Sequence, residues 1–189
     1  GGTDHFINHF LPKLGIHTLG FKPGEERNGL ADLIKGSPHA DKLAMIYVET
    51  PANPTNALID IGACREVADY FKTDEKTVFV AVDNTYLGPL WQHPLKHGAD
   101  FVMYSATKYI GGHSDVIAGA VLGNAEVMAR VKTLRTFLGN MCGPWTGWLL
   151  LRSLETLKVR MDQQAANAKE VAAFLSTHPK VERVYYIGH

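Results

Sequence analysis

The sequence has little of what marks several classes of protein. Its 189 residues include only two cysteines, Cys64 and Cys142, far apart and in no metal- or redox-type spacing. That excludes a disulfide-stapled miniprotein, and two free thiols suit a reducing compartment, with the cytoplasm the expected location. There is no net charge, because nineteen Lys and Arg balance nineteen Asp and Glu. A nucleic-acid footprint needs clustered positive charge, so nucleic acid is not an expected partner. No apolar run approaches the roughly eighteen residues of a membrane span; runs such as residues 78–82 and 148–151 are far shorter. A membrane is not expected as a partner either, and no signal-peptide pattern is apparent. The dinucleotide fingerprint G-x-G-x-x-G and the P-loop G-x-x-x-x-G-K-[ST] are both missing. So are internal repeats and low-complexity segments.

What is present is ordinary globular composition, 46% apolar and 20% charged, with enough chain to bury a core. Length alone suggests about 1.3 domains. The chain opens on Gly1-Gly2-Thr3 and stops at Gly188-His189, just after an apolar run, so both ends are expected to be cut ends.

The pattern alternates. Residues 5–14 read as helical, and 16–21 as a short strand. Residues 27–35 read as a helix stopped by Gly36. Residues 43–48 form a nearly continuous apolar run, the look of a strand buried on both faces. Residues 60–71 read as a helix with Asp60 as N-cap. Residues 78–82, 100–104 and 116–122 read as further strands, the last with Gly119 inside it. After Gly143, Leu150, Leu154, Leu157, Met161, Ala165, Ala168, Ala172 and Leu175 form one helical apolar stripe, broken once. Residues 181–186 then read as a strand. Short apolar strands alternating with helices predict an α/β fold with a mostly parallel central sheet flanked by helices. The boundary falls near the end of the long helix, giving a large domain over 1–175 and the start of another over 176–189.

In open parallel sheets, ligands bind beyond the carboxyl ends of the strands. Glu49-Thr50-Pro51-Ala52-Asn53-Pro54 follows the first buried strand, and Asp83-Asn84-Thr85-Tyr86 the second. Ser105-Ala106-Thr107-Lys108-Tyr109 and Gly111-Gly112-His113-Ser114-Asp115 follow the third. Parallel strands put all three sets on one edge. Hydroxyls from Ser105 and Thr107, with local amides, suit phosphate oxygens. A desolvated Lys108 amine is a Schiff-base nucleophile. Asp83 can hold a charge-assisted hydrogen bond to a protonated ring nitrogen. Aldehyde, phosphate and pyridinium together describe pyridoxal phosphate.

These three motifs, in this order, resemble the pyridoxal-phosphate enzymes of cysteine and methionine metabolism: cystathionine γ-synthase, cystathionine β- and γ-lyase and methionine γ-lyase. The resemblance runs from Gly1 to His189. It implies the aspartate-aminotransferase-like fold, with Lys108 as the cofactor-bound lysine and, once displaced by substrate, the base that moves the Cα proton. It implies Asp83 on the pyridine nitrogen, Ser105 and Thr107 on the phosphate, Asn53 near the phenolic oxygen and Glu49 in support. The substrate it implies is a small sulfur-containing amino acid, with a mild preference for a γ-lyase acting on methionine or cystathionine. A homo-oligomer, a dimer of dimers, comes with it. Family members are about twice this long. The ring-stacking tyrosine would sit one residue before Gly1. The phosphate-binding glycine loop and the Tyr/Arg pair lent by a neighbouring subunit lie further upstream, and the carboxylate-binding arginine lies beyond His189. The chain is thus expected to be the central part of a longer enzyme, one that alone binds cofactor weakly and turns over nothing.

Plainer readings stand beside these. Asp83 could be a helix N-cap, Ser105 and Thr107 turn caps, Asn53 a turn residue before proline, and Glu49 part of a rim ion pair. His5/His9 and His93/His97 have helical metal spacing without completing ligands, so no metal is expected. His113 and Asp115 are expected to shape the loop after Lys108, and Trp145 and Trp148 to pack. Tyr104-x-x-x-Lys108 matches the tyrosine–lysine pair of short-chain dehydrogenases, but Tyr104 on a strand points away from Lys108 or into the core. A non-enzymatic fragment serving only as an oligomer component is the alternative of another class.

Overall fold

A computed structural model describes residues 2–188; Gly1 and His189, the ends of the family resemblance, lie outside the described residues. The N-terminal stretch is helical as expected. It runs as a four-residue turn α1 (Gly2–His5), a wide turn over Phe6–Phe10 and a tight one over Leu11–Leu14, closed by Gly15 at φ 75°. Residues 16–21, read as a strand, carry no regular structure. A short apolar run becomes a strand only where a neighbour pairs with it, and none of the four strands does so.

Helix α2 (Asn28–Lys35) ends at Gly36 as predicted. Strand β1 (Met45–Glu49) leads through a loop to α3 (Ile61–Phe71), whose N-cap is Asp60. The Asp60 carboxylate accepts from the Ala63 amide at 3.0 Å, satisfying one of the donors that a helix start leaves open. Strand β2 (Phe79–Asp83) is followed by the short turn α4 (Gly88–Trp91), then β3 (Phe101–Ser105) and β4 (Gly119–Gly123). The sheet order is β1-β2-β3-β4, with β1, β2 and β3 parallel and β4 antiparallel on the edge.

Register explains the layering. Ile46 pairs with Val80 and Val48 with Val82, and Val82 pairs with Val102. Side chains alternate along a strand, so these even-numbered residues share one face. That face packs on Leu30 and Ile34 of α2 and on Ile61, Cys64, Val67 and Ala68 of α3, forming the core. The odd-numbered residues Tyr47, Glu49, Asp83, Met103 and Ser105 share the other face.

The chain then turns helical through α5 (Ala125–Leu138), α6 (Pro144–Leu154) and α7 (Leu157–Ser176). The apolar stripe after Gly143 is broken once, between Leu154 and Leu157. Helix α5 was not expected. Asn124 caps it by accepting from the Val127 amide at 2.8 Å, and Gly139 ends it at φ 73°. Residues 181–186, also read as a strand, are not one: the backbone there has no ladder partner. It is tethered instead through the Tyr185 carbonyl, which accepts from Asn56 Nδ2 at 2.8 Å. No helix among the described residues is long and apolar enough to cross a membrane.

Candidate active site

The parallel register brings the ends of β1 and β2 level, with Glu49 beside Asp83, and Asp83 pairs with Met103 two residues before Ser105. The three polar sets therefore do share one sheet edge.

Asp83 is not a helix cap. Its Oδ1 accepts from the Thr85 amide at 3.0 Å and from the Thr85 hydroxyl at 2.6 Å. The Thr85 hydroxyl oxygen in turn accepts from the Ser105 amide at 2.7 Å, so Thr85 ties the end of β2 to the end of β3. Among the described residues, Oδ2 is approached only by the Tyr47 hydroxyl, at 3.5 Å, the outer limit of a hydrogen bond. Burial, and next the negative charge of Asp83, push the Tyr47 phenol well above its ordinary value, against a smaller opposing effect from a hydrogen bond with Thr3. Tyr47 thus stays protonated and can only donate toward the carboxylate. The carboxylate is held on one oxygen and open on the other.

Behind it, Asn84 is fully buried. Its amide faces the Gly88 and Gln92 carbonyls, both at 3.0 Å, and the Tyr104 hydroxyl at 3.1 Å. Gln92 donates to Asn84 Oδ1 at 2.8 Å and to the Thr50 carbonyl at 2.7 Å. This network sits beneath the ends of all three parallel strands, and buried amides fully paired in this way rigidify what they touch. Tyr104 belongs to this network rather than to Lys108, which removes the dehydrogenase-type pair.

Lys108 follows β3 in a tight loop. Its amide donates to the Ser105 carbonyl at 3.0 Å, and its carbonyl accepts from the Gly112 amide at 2.7 Å. The side chain is exposed and lines a cleft of about 640 Å³ with Thr107, Tyr109, Ser114 and Asp115. Asp83 and Ser105 do not line this cleft. Gly112 has φ +79°, the left-handed region that favours glycine. His113 Nδ1 lies 2.8 Å from the Gly111 carbonyl, so it shapes the loop as expected.

The remaining predicted residues divide. The Ser105 hydroxyl has no hydrogen-bond partner among the described residues, whereas its amide is used by Thr85. The Thr107 hydroxyl donates to the Ala118 carbonyl at 3.3 Å and accepts from the Ala118 amide at 3.0 Å, closing the loop that leads to β4. Glu49 makes no ion pair among the described residues; it accepts from the Asn53 amide at 3.4 Å. Asn53 is exposed, in a turn with cis peptides at Thr50–Pro51 and Asn53–Pro54. Trp145 and Trp148 stack on each other, with centroids 4.9 Å apart, at the surface rather than in the core. No metal-type cluster occurs among the described residues.

The donor set fits a phosphorylated pyridinium aldehyde. An amine stands in a cleft, a carboxylate oxygen is open to an N–H⁺, and the Ser105 hydroxyl is free for an anionic oxygen. The model of the Cys/Met metabolism PLP-dependent enzyme family matches residues 1–189. The chain belongs to that family. Family members are enzymes and their cofactor is pyridoxal phosphate. The chain is 38% identical over 190 residues to L-methionine γ-lyase of Treponema denticola, covering all of this chain and 45% of that protein. It is 36% identical over 186 residues to a chloroplastic cystathionine γ-synthase of Arabidopsis thaliana, covering 98% of this chain and 31% of that protein. The structure of cystathionine γ-lyase from Lactobacillus plantarum superposes with a TM-score of 0.87 at 32% identity, over all of this chain and 47% of that one. This family member thus spans less than half the length of these relatives. Thr85, Tyr47 and Asn84, which hold Asp83 and the strand ends, carried no role in the sequence reading. Thr85 had a local signal, a hydroxyl two residues after an aspartate, which is a turn-forming spacing.

Proposed function

We propose that this chain is the cofactor-binding part, residues 1–175, of a carbon–sulfur lyase that removes a thiol from methionine or cystathionine by γ-elimination. In this reading residues 176–189 begin a second domain. The observation that carries it is the half-open Asp83 carboxylate on the same sheet edge as the Lys108 loop. When bound, pyridoxal phosphate supplies a conjugated pyridinium that takes up the electron pair left at Cα. Asp83 Oδ2 accepts from the ring N–H⁺ and keeps that proton in place, while Thr85 keeps the carboxylate aimed. The Lys108 amine would hold the cofactor and, as a free amine, would take the Cα proton on Nζ and return it. The Ser105 hydroxyl donates to the phosphate, Thr107 shapes the loop beside it, and Asn53 and Glu49 support the phenolic side. The working form is a cytoplasmic homo-oligomer, a dimer of dimers.

Likeness to cystathionine γ-synthase supports a second reading, γ-replacement at the same centre. Supplying the full-length protein with methionine or cystathionine, with and without an added thiol, separates the two. Release of a keto acid and ammonia marks elimination, and retained amino acid joined to the added thiol marks replacement. The cofactor reading is tested by incubation with pyridoxal phosphate, borohydride reduction and peptide mapping. An adduct on Lys108 is expected; adducts scattered over many lysines would sink it.

A further inference from the structure

We infer that Arg160 is a positioning residue for Lys108: it holds the backbone of the lysine loop from the helical side. The inference rests on the reading of Lys108 given above.

Arg160 lies near the start of α7 and is half-buried. Its Nη1 donates to the Tyr109 carbonyl at 2.8 Å, its Nη2 to the Ser153 carbonyl at 2.9 Å, and its Nε to the Thr156 hydroxyl at 3.1 Å. No carboxylate pairs with it among the described residues. A planar guanidinium with five donors is suited to bridging separate acceptors, which a lysine ammonium on a flexible stem cannot reproduce. Here the fork joins the end of α6 to the residue next to Lys108.

Two glycines make room for this grip. A Cβ on Gly112 would lie 2.1 Å from Arg160 Nη1 and 2.5 Å from Cζ, so the guanidinium packs directly on that glycine. A Cβ on Gly88 would lie 2.6 Å from Met161 Cε and 3.5 Å from Tyr109 Cδ2. Met161, the next residue of α7, is fully buried and packs on Gly88, which also lies against the Tyr109 ring. On the sheet side the loop is closed by its own bonds, Gly111 N to the Ala106 carbonyl at 2.6 Å and Gly112 N to the Lys108 carbonyl at 2.7 Å. Arg160 supplies the matching constraint on the opposite side. The reach of the Lys108 amine is set by where this backbone sits, and small misplacements of a reacting group cost rate steeply.

The test uses the full-length protein incubated with pyridoxal phosphate and reduced with borohydride at intervals. The amine condenses with the aldehyde, releasing water, and the hydride from borohydride makes the bond permanent. Peptide mapping gives the rate at Lys108 relative to the other lysines, and the thermal midpoint is measured in parallel. Arg160→Lys and Arg160→Met are expected to slow Lys108 labelling about tenfold or more. Should Arg160→Met fail to fold, Arg160→Lys and Arg160→Gln carry the test. Wild-type labelling rates in both, whatever the thermal midpoint, would overturn the inference and leave Arg160 a purely structural residue. No Lys108 adduct in the wild type would instead overturn the reading of Lys108 itself.

Discussion

Where β1 to β3 meet α2 and α3 the side chains are sealed: Val78, Val80, Val82, Cys64 and Ala68 are all 0% exposed. Between α5 and α7 the long apolar side chains stand in the open, with Phe137 83%, Trp145 70% and Leu151 69% exposed. Helix α5 buries no residue at all. The first region carries its own core, made by residues close in sequence and knitted by period-2 alternation. The second is attached at a few points, chiefly Leu157, Arg160, Met161 and Ala172. The lesson is that the edge bearing Asp83 stands on a self-sufficient base, whereas the Lys108 loop depends on both regions at once.

Substitutions can break or sharpen that contrast. The largest effect is chemical: Lys108→Ala in the full-length enzyme should abolish the borohydride-trapped adduct and lower turnover by about a thousandfold or more. In the sealed region, Val80→Ala should cost about 2 kcal/mol in denaturant unfolding, because the close-packed site cannot collapse around two lost methyl groups. A cost near zero would mean that the sheet core is not what holds the edge.

Cys64 offers a pH version of the same contrast. Burial, then the charges of Glu26 and Asp60, push its thiol up to about 12. A raised thiol value means the folded state keeps a proton that the unfolded chain gives up near pH 9. Its contribution is therefore complete below pH 9 and is lost as pH rises toward 12, at about 1.4 kcal/mol per unit. Cys64→Ala should flatten that part of the stability profile; an unchanged slope would refute the assignment. Asp60→Ala should cost about 1 kcal/mol through the lost cap on α3, measured by the same unfolding curve. Phe137→Ser, in the open region, should shift stability by less than about 0.5 kcal/mol. A larger loss would show that α5 is packed against something in solution.

Much of the fold is legible in the sequence. The runs at 43–48, 78–82 and 100–104 are mostly apolar and are followed by polar residues, and each is a strand within two residues of its predicted limits. Asp60 was readable because a cap needs only its own three successors. The misreadings have one cause. Residues 16–21 and 181–186 have strand-like composition, but a strand exists only when another strand pairs with it, and composition does not say which runs will meet. Helix α5 was overlooked although Val127, Val131, Leu134 and Leu138 fall at helical spacing and Asn124 and Gly139 cap it. At the site, the motif residues are legible because they follow strands, while no role can be read for Tyr47 or Asn84, since their roles arise from neighbours across the sheet.

Periodicity and short-range spacing suffice for the alternating elements, the sheet edge that bears the polar residues, and the lysine and aspartate at that edge. Only the tertiary structure decided how those residues are held. Thr85 joins strands 20 residues apart, and Arg160 reaches 51 residues back to Tyr109. Such bonds are formed by surfaces that the folded core brings together, and a one-dimensional pattern carries no record of which surfaces those will be.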